Sequence, residues 1–199
     1  MISAEQFNDY AQAGYNRIPL YRCVSADLDT PLSAWLKLAN GPHTFLLESV
    51  EGGARWGRYS IIGLSADMRF HITGHEVKEF SFNELTDSYR TEDMLTTVEA
   101  IKNRYQVPEI DELPGFSGGL VGYMGYETIE HIEPKLAGLA PPDTMEIPDI
   151  HMMLAESVAV FDNLAGKVWL IVHVDPAEKQ AYARGRKRLD ELVHRLRSG

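Results

Sequence analysis

The feature that most restricts the fold is a pair of apolar runs near the C-terminal end of the sequence. Residues 151–162 (HMMLAESVAVFD) and 167–175 (KVWLIVHVD) read as two strands, the second with Val168, Ile171, Val172 and Val174 as β-branched residues that suit a pleated, half-buried surface. Four residues, Asn163-Leu164-Ala165-Gly166, join the two strands as a tight hairpin. A second hairpin pairs residues 67–73 (DMRFHIT) with 76–82 (EVKEFSF) across a turn that contains Gly74. Shorter strands are predicted at 18–26 (IPLYRCVSA), 43–50 (HTFLLESV) and 59–64 (YSIIGL). Residues 116–132 (FSGGLVGYMGYETIEHI) begin as a strand and turn helical near Tyr126.

Helices punctuate these strands without alternating with them. Ser3 caps a helix over residues 3–13, with Gln6 completing a capping box and Gly14 ending it. Thr30 caps a second, with Pro31 at its first position and Trp35, Leu36 and Leu38 as its apolar contacts. Residues 91–105 carry Met94, Leu95, Val98 and Ile101 at helical spacing. Asp175 caps the last helix, with Pro176 first and Glu178 third; it carries Tyr182, Leu189, Leu192, Val193 and Leu196. Residues 107–115 (VPEIDELPG) read as a connector. The prolines of 138–149 (GLAPPDTMEIPD) mark a long loop, and the stretch 136–149 is the one plausible boundary in what is otherwise read as a single domain. The pattern predicts an α+β fold: largely antiparallel sheets, two of them packed, flanked by helices.

The chain has 199 residues and a net charge of −10, which disfavours binding to phosphate backbones, so no nucleic-acid partner is expected. Its single Cys23 cannot form an internal disulfide and fits a reducing compartment. The opening MISAEQFNDY has no basic segment followed by an apolar one, and the apolar runs are far shorter than the ~20 residues of a membrane helix. A cytoplasmic protein without a membrane partner is expected.

Several stretches invite a functional reading and lose it to a plainer one. His71 and His75 are four apart but flank a hairpin turn, so they are not expected to converge on a metal. Residues 118–127 (GGLVGYMGYE) lack the Lys-Ser/Thr ending of a phosphate loop and the dinucleotide glycine spacing; glycines in a strand instead permit close backbone approach or mark a bulge. The basic residues Arg184, Arg186, Lys187, Arg188, Arg195 and Arg197 read as a solvated helix face, with Asp190 and Glu191 available for pairing.

Residues 46–63 (LLESVEGGARWGRYSIIG) are different. Two leucines end in Glu48 and Ser49; two glycines, Arg55, Trp56, Arg58 and Tyr59 follow before the chain turns apolar again. This is either an ordinary solvated loop or a pocket for a small zwitterion. A free amino acid needs an acceptor for its ammonium, donors for its carboxylate and an apolar slot for its side chain. Glu48 or backbone carbonyls could accept, Ser49 with Arg55 or Arg58 could donate, and Leu47 with Ile61 could line the slot.

The same stretch resembles the N-terminal signature of anthranilate synthase component I, a family similar to aminodeoxychorismate synthase component I and the wider chorismate-utilising enzymes. Residues 16–38 (NRIPLYRCVSADLDTPLSAWLKL) resemble the family's first strand and following helix, 116–127 (FSGGLVGYMGYE) its glycine-rich strand, and 151–173 (HMMLAESVAVFDNLAGKVWLIVH) its last hairpin of this region. The resemblance implies an N-terminal regulatory domain over residues 1–199. In the family the catalytic C-terminal domain binds chorismate and holds magnesium, and that half is outside this sequence. No cofactor and no catalytic residue is therefore expected in the fragment. The implied reaction is chorismate plus ammonia to anthranilate and pyruvate, with ammonia from a glutamine amidotransferase subunit, component II. The resemblance also implies a site for inhibitory L-tryptophan, with Ser49, Glu48, Leu47 and Pro19 at or near it; Arg55 stands where some members carry a lysine nearby. Other tryptophan contacts belong to the missing half, so the pocket is expected to be open on one side. Rival readings are the equivalent domain of aminodeoxychorismate synthase component I, a free-standing amino-acid-binding module, and a domain that docks the amidotransferase.

Overall fold

The computed structural model describes residues 1–39, 41–48, 57–136, 138–139 and 145–198. The chain forms two compact units: Met1–Ala66, Tyr105–Gly119 and Ala155–Gly199 make the first, and Asp67–Arg104 with Leu120–Leu154 the second. The loop at 136–149, expected as a boundary, lies wholly inside the second unit. Both units are α+β with antiparallel sheets, as the sequence predicts.

In the first unit, helix α1 (Ala4–Gln12) starts from the predicted Ser3–Gln6 capping box. Strand β1 (Ile18–Ser25), helix α2 (Pro31–Leu38), and strands β2 (Phe45–Glu48) and β3 (Tyr59–Gly63) follow. After the second unit's strands β4 (Met68–Thr73), β5 (Glu76–Ser81) and β6 (Glu84–Arg90), helix α3 (Met94–Asn103), strand β7 (Gly119–Met124), a 3-10 turn leading into helix α4 (Ile129–Ile132), and strand β8 (Ile150–Ala155), the first unit resumes. It closes with β9 (Ser157–Asp162), β10 (Lys167–Val174) and α5 (Ala181–Arg197).

The first sheet runs β1-β10-β9-β3-β2. Its centre is dry because both faces of the inner strands are apolar: Ile62, Val158, Ala159, Leu170 and Ile171 are fully buried. Helix α5 covers one face through Leu189, Leu192 and Leu196, and Gly185 lets it settle against Leu20 and Val174. Most of its basic side is solvated, with Lys187 and Arg188 near Glu191, while Asp190 pairs with Arg22; Arg195, read as solvated, is instead half-buried, its Nη2 donating to Lys37 O (3.1 Å) and Leu38 O (2.9 Å) at the end of α2. The second sheet runs β6-β5-β4-β8-β7, and α3 packs Met94 and Val98 on Ile72, Val77 and Ile150. Gly122 on β7 meets the predicted need for close approach: a Cβ there would stand 1.8 Å from the His151 carbonyl oxygen. No helix among the described residues is long and apolar enough to cross a membrane.

Four expectations are corrected. The run 151–162 is two strands rather than one, and β8 and β9 belong to different sheets. It breaks at Glu156, whose carbonyl accepts from His173 N (2.7 Å) and whose carboxylate takes Arg17 Nε (2.5 Å). Strand β6 was not foreseen, because it is a solvated edge with almost every residue exposed and no apolar alternation. The last helix begins at Ala181, not after Asp175. Asp175 Oδ1 accepts from Ala177 N (2.9 Å) and caps only a turn, and Gln180, with φ 56°, interrupts the helical path. On α2, the buried residues are Ala34 and Leu38, whereas Leu36 is 66% exposed.

Candidate functional site

Strand β2 is the outer edge of the first sheet, not a buried strand as its apolar sequence suggests. It pairs with β3 in the register Phe45–Gly63, Leu46–Ile62, Leu47–Ile61 and Glu48–Ser60. Directly opposed residues share a face, so Leu47 and Ile61 form one apolar step. Leu47 is 51% exposed at this edge. Alternation along the strand sends Glu48 to the other face, where Ser60 is buried behind it. Leu47 and Glu48 thus flank the strand edge from opposite sides. Ser49 and Arg55 lie outside the described residues.

Pro19 is not brought beside them through the sheet. It sits on β1, the opposite edge strand, paired with His173, with β10, β9 and β3 intervening. Register through Cys23–Trp169, Trp169–Val160, Val160–Ile61 and Ile61–Leu47 nevertheless gives Pro19 and Leu47 the same face.

Arg58, an alternative donor for a ligand carboxylate, is already committed. Its Nε donates to Asp162 Oδ1 (3.0 Å) and Oδ2 (3.1 Å), and its Nη2 to Oδ2 (2.6 Å). The Arg58 hydrogen bonds hold the Asp162 carboxyl below the usual carboxylate range, with the Ala165 N–H helping against burial. The same turn grips the backbone: Asn163 N donates to Arg58 O (2.8 Å), and Asn163 Nδ2 donates to Gly57 O (3.3 Å) and Ser60 Oγ (3.1 Å). Sequence reasoning missed Asp162 and Asn163, because their partners are about a hundred positions away and nothing local marks them.

Among the described residues, no three His, Cys, Asp or Glu side chains are grouped so as to hold a metal ion.

No family model matches the chain. It is 49% identical over 196 residues to the anthranilate synthase component 1 of Pseudomonas aeruginosa, an alignment covering 98% of this chain and 40% of that protein. It is 47% identical over 200 residues to the anthranilate synthase component 1 of Neisseria meningitidis, covering 99% and 40% respectively. Its fold is similar to the crystal structure of anthranilate synthase component I from Streptococcus pneumoniae, with a TM-score of 0.57 and 25% identity over 88% of this chain and 37% of that one. Over nearly all of its residues the chain is similar in sequence, and over most of them in fold, to anthranilate synthase component 1 proteins, and it spans about 40% of the length of the curated relatives it matches.

Proposed function

We propose that this chain is the N-terminal, feedback-sensing part of an anthranilate synthase component 1 acting in the cytoplasm. In this reading it holds L-tryptophan at the outer edge of β2. A chorismate-binding C-terminal domain outside this chain, which carries the magnesium, converts chorismate and ammonia to anthranilate and pyruvate. The ammonia comes from a glutamine amidotransferase subunit, component II.

The observation that carries the reading is the exposed edge itself. An indole side chain needs an apolar wall, which Leu47 and Ile61 would offer on one face of this edge; an ammonium needs an anionic acceptor, which Glu48 would offer from the opposite face, so that the ligand's amino end reaches it round the strand edge. Ser49 follows directly and would donate to the carboxylate, with Arg55 close in sequence. Arg58 already spends its Nε and Nη2 on Asp162. Pro19 enters the site only if it is reached across the face it shares with Leu47.

A ligand held between this edge and a second domain favours whichever domain arrangement fits it, and the coupling to a distant site is bounded by its differential affinity for the two. The test is Ser49→Phe in the full-length polypeptide, with anthranilate formation followed against tryptophan concentration. A phenyl ring in the carboxylate's place should raise the half-inhibiting concentration by about 5- to 150-fold, the usual span of such couplings. Superimposable inhibition curves would remove Ser49 from the site. The 199-residue chain alone lacks the second wall and should bind tryptophan weakly or not at all; micromolar affinity by calorimetry would show that the wall is not needed.

A further inference from the structure

The β9–β10 turn does more than reverse the chain. Asp162, the last residue of β9, has a side chain only 7% exposed, yet it receives the fork of Arg58, whose own side chain is 44% exposed. Asp162 Oδ1 also accepts from Ala165 N (3.1 Å), so the turn's own backbone orients the carboxylate. Next to it, Asn163 spends its side-chain amide on Gly57 O and Ser60 Oγ and its backbone N–H on Arg58 O. Two consecutive residues of one turn thus hold Gly57, Arg58 and Ser60, the stretch over which the chain re-enters the sheet as β3. Ser60 is the cross-strand partner of Glu48, and Ile61 that of Leu47.

A hairpin held only by its ladder needs none of this. β3 already pairs with β9 from Tyr59–Asp162 to Gly63–Val158, so register is set without the side chains of Asp162 and Asn163. What they add is a fixed height and angle for the first residues of β3, directly behind the exposed edge. They also neutralise Arg58 and keep its guanidinium on the turn.

We infer that Asp162 and Asn163 are positioning residues for the ligand edge formed by Leu47, Glu48 and Ile61, and that Asp162 withholds Arg58 from the ligand. This rests on the tryptophan reading above, and it adds to that reading the turn whose integrity sets the affinity. Neither residue touches the ligand; each acts through Arg58, Gly57 or Ser60. A mispositioned edge loses complementarity, because a site depends on the groups that lock its lining residues in place.

The experiment compares wild type with Asn163→Ala and with Asn163→Asp, which keeps the shape but loses the side-chain N–H donors. Amide hydrogen exchange at Gly57–Ile61 and tryptophan titration by calorimetry are measured on the full-length polypeptide. Both variants should speed exchange at Gly57–Ser60 while leaving β1 and β10 protected. They should also raise the tryptophan Kd by roughly 2- to 30-fold, the range expected of residues that modulate a site without contacting the ligand. Should Asn163→Ala fail to fold, Arg58→Lys is the second variant; it keeps the charge, loses the bidentate fork and sits on an exposed side chain, and it should produce the same pair of changes. Unchanged exchange at Gly57–Ser60 overturns the inference. Faster exchange with unchanged tryptophan affinity overturns it too, leaving the turn as a brace of the sheet. A wild type that binds no tryptophan sinks the functional reading instead, and faster local exchange in the variants then still supports the turn as the device that sets this edge.

Discussion

Acidification should destabilise this protein through His173 before its carboxylates are protonated. His173 lies on β10, and its Nδ1 donates to the Glu156 carbonyl at 3.3 Å. The residue as a whole keeps some exposed surface, but the backbone of Gly118 lies directly on the ring: a Cβ on Gly118 would stand 2.6 Å from His173 Cε1. Burial pushes the imidazole from 6.5 down to about 4, with the Arg17 guanidinium adding to the effect and the Glu156 carbonyl opposing it. In the unfolded chain the same ring titrates near 6.5. As pH falls, the unfolded state therefore binds the proton first, so stability is full above about pH 6.5 and is lost progressively down to about pH 4. Relative to pH 8 the loss is about 1 kcal/mol at pH 6, about 2 kcal/mol at pH 5 and about 3 kcal/mol at pH 4. Asp93, whose carboxylate accepts from the Thr96 N–H and hydroxyl, and Asp162, held by Arg58, are both pushed below the usual range, so their contributions fade only below about pH 4. The two windows are thus separable. Urea denaturation followed by tryptophan fluorescence between pH 8 and 4.5 tests this, with His173→Asn as the reference. The Asn amide can donate to the Glu156 carbonyl but does not titrate. If wild type and variant lose stability in parallel between pH 7 and pH 5, the ring is not held neutral by its surroundings and the reasoning fails.

Two further outcomes follow from the packing. Gly122→Ala places a Cβ 1.8 Å from a backbone oxygen that cannot move aside, so β7 should separate from β8 at a cost of at least about 2 kcal/mol in urea denaturation. A change under about 0.5 kcal/mol would mean that the approach is not as close as described. Thr30→Ala removes one half of the α2 capping box, in which Thr30 Oγ1 accepts from Ser33 N at 3.1 Å, and should cost about 1 kcal/mol; a neutral substitution would show that Pro31 and the packing of α2 suffice to start the helix.

Much of the secondary structure was decided locally and could be read from the residues. The capping box at Ser3, the cap at Thr30, the Gly74 and Asn163–Gly166 hairpins and the glycines of β7 depend on neighbours a few positions away, so sequence alone marks them. The LLES stretch could likewise be singled out, because an acid and a hydroxyl ending an apolar run is a local anomaly. Tertiary structure decided what local pattern leaves degenerate. An apolar run longer than a typical strand can feed one sheet or two, and only the pinning of Glu156 by Arg17 and His173 splits 151–162. An exposed edge strand such as β6 carries no apolar alternation, since its outer surface faces water whatever its side chains are. The same holds for β2, whose apolar sequence reads as buried until its place at the sheet edge is known. The turn behind the candidate site was out of reach for the same reason: Arg58 and Asp162 find each other only because β3 and β9 are neighbours, and pairing between strands a hundred residues apart is set by the free energy of the whole sheet rather than by either segment.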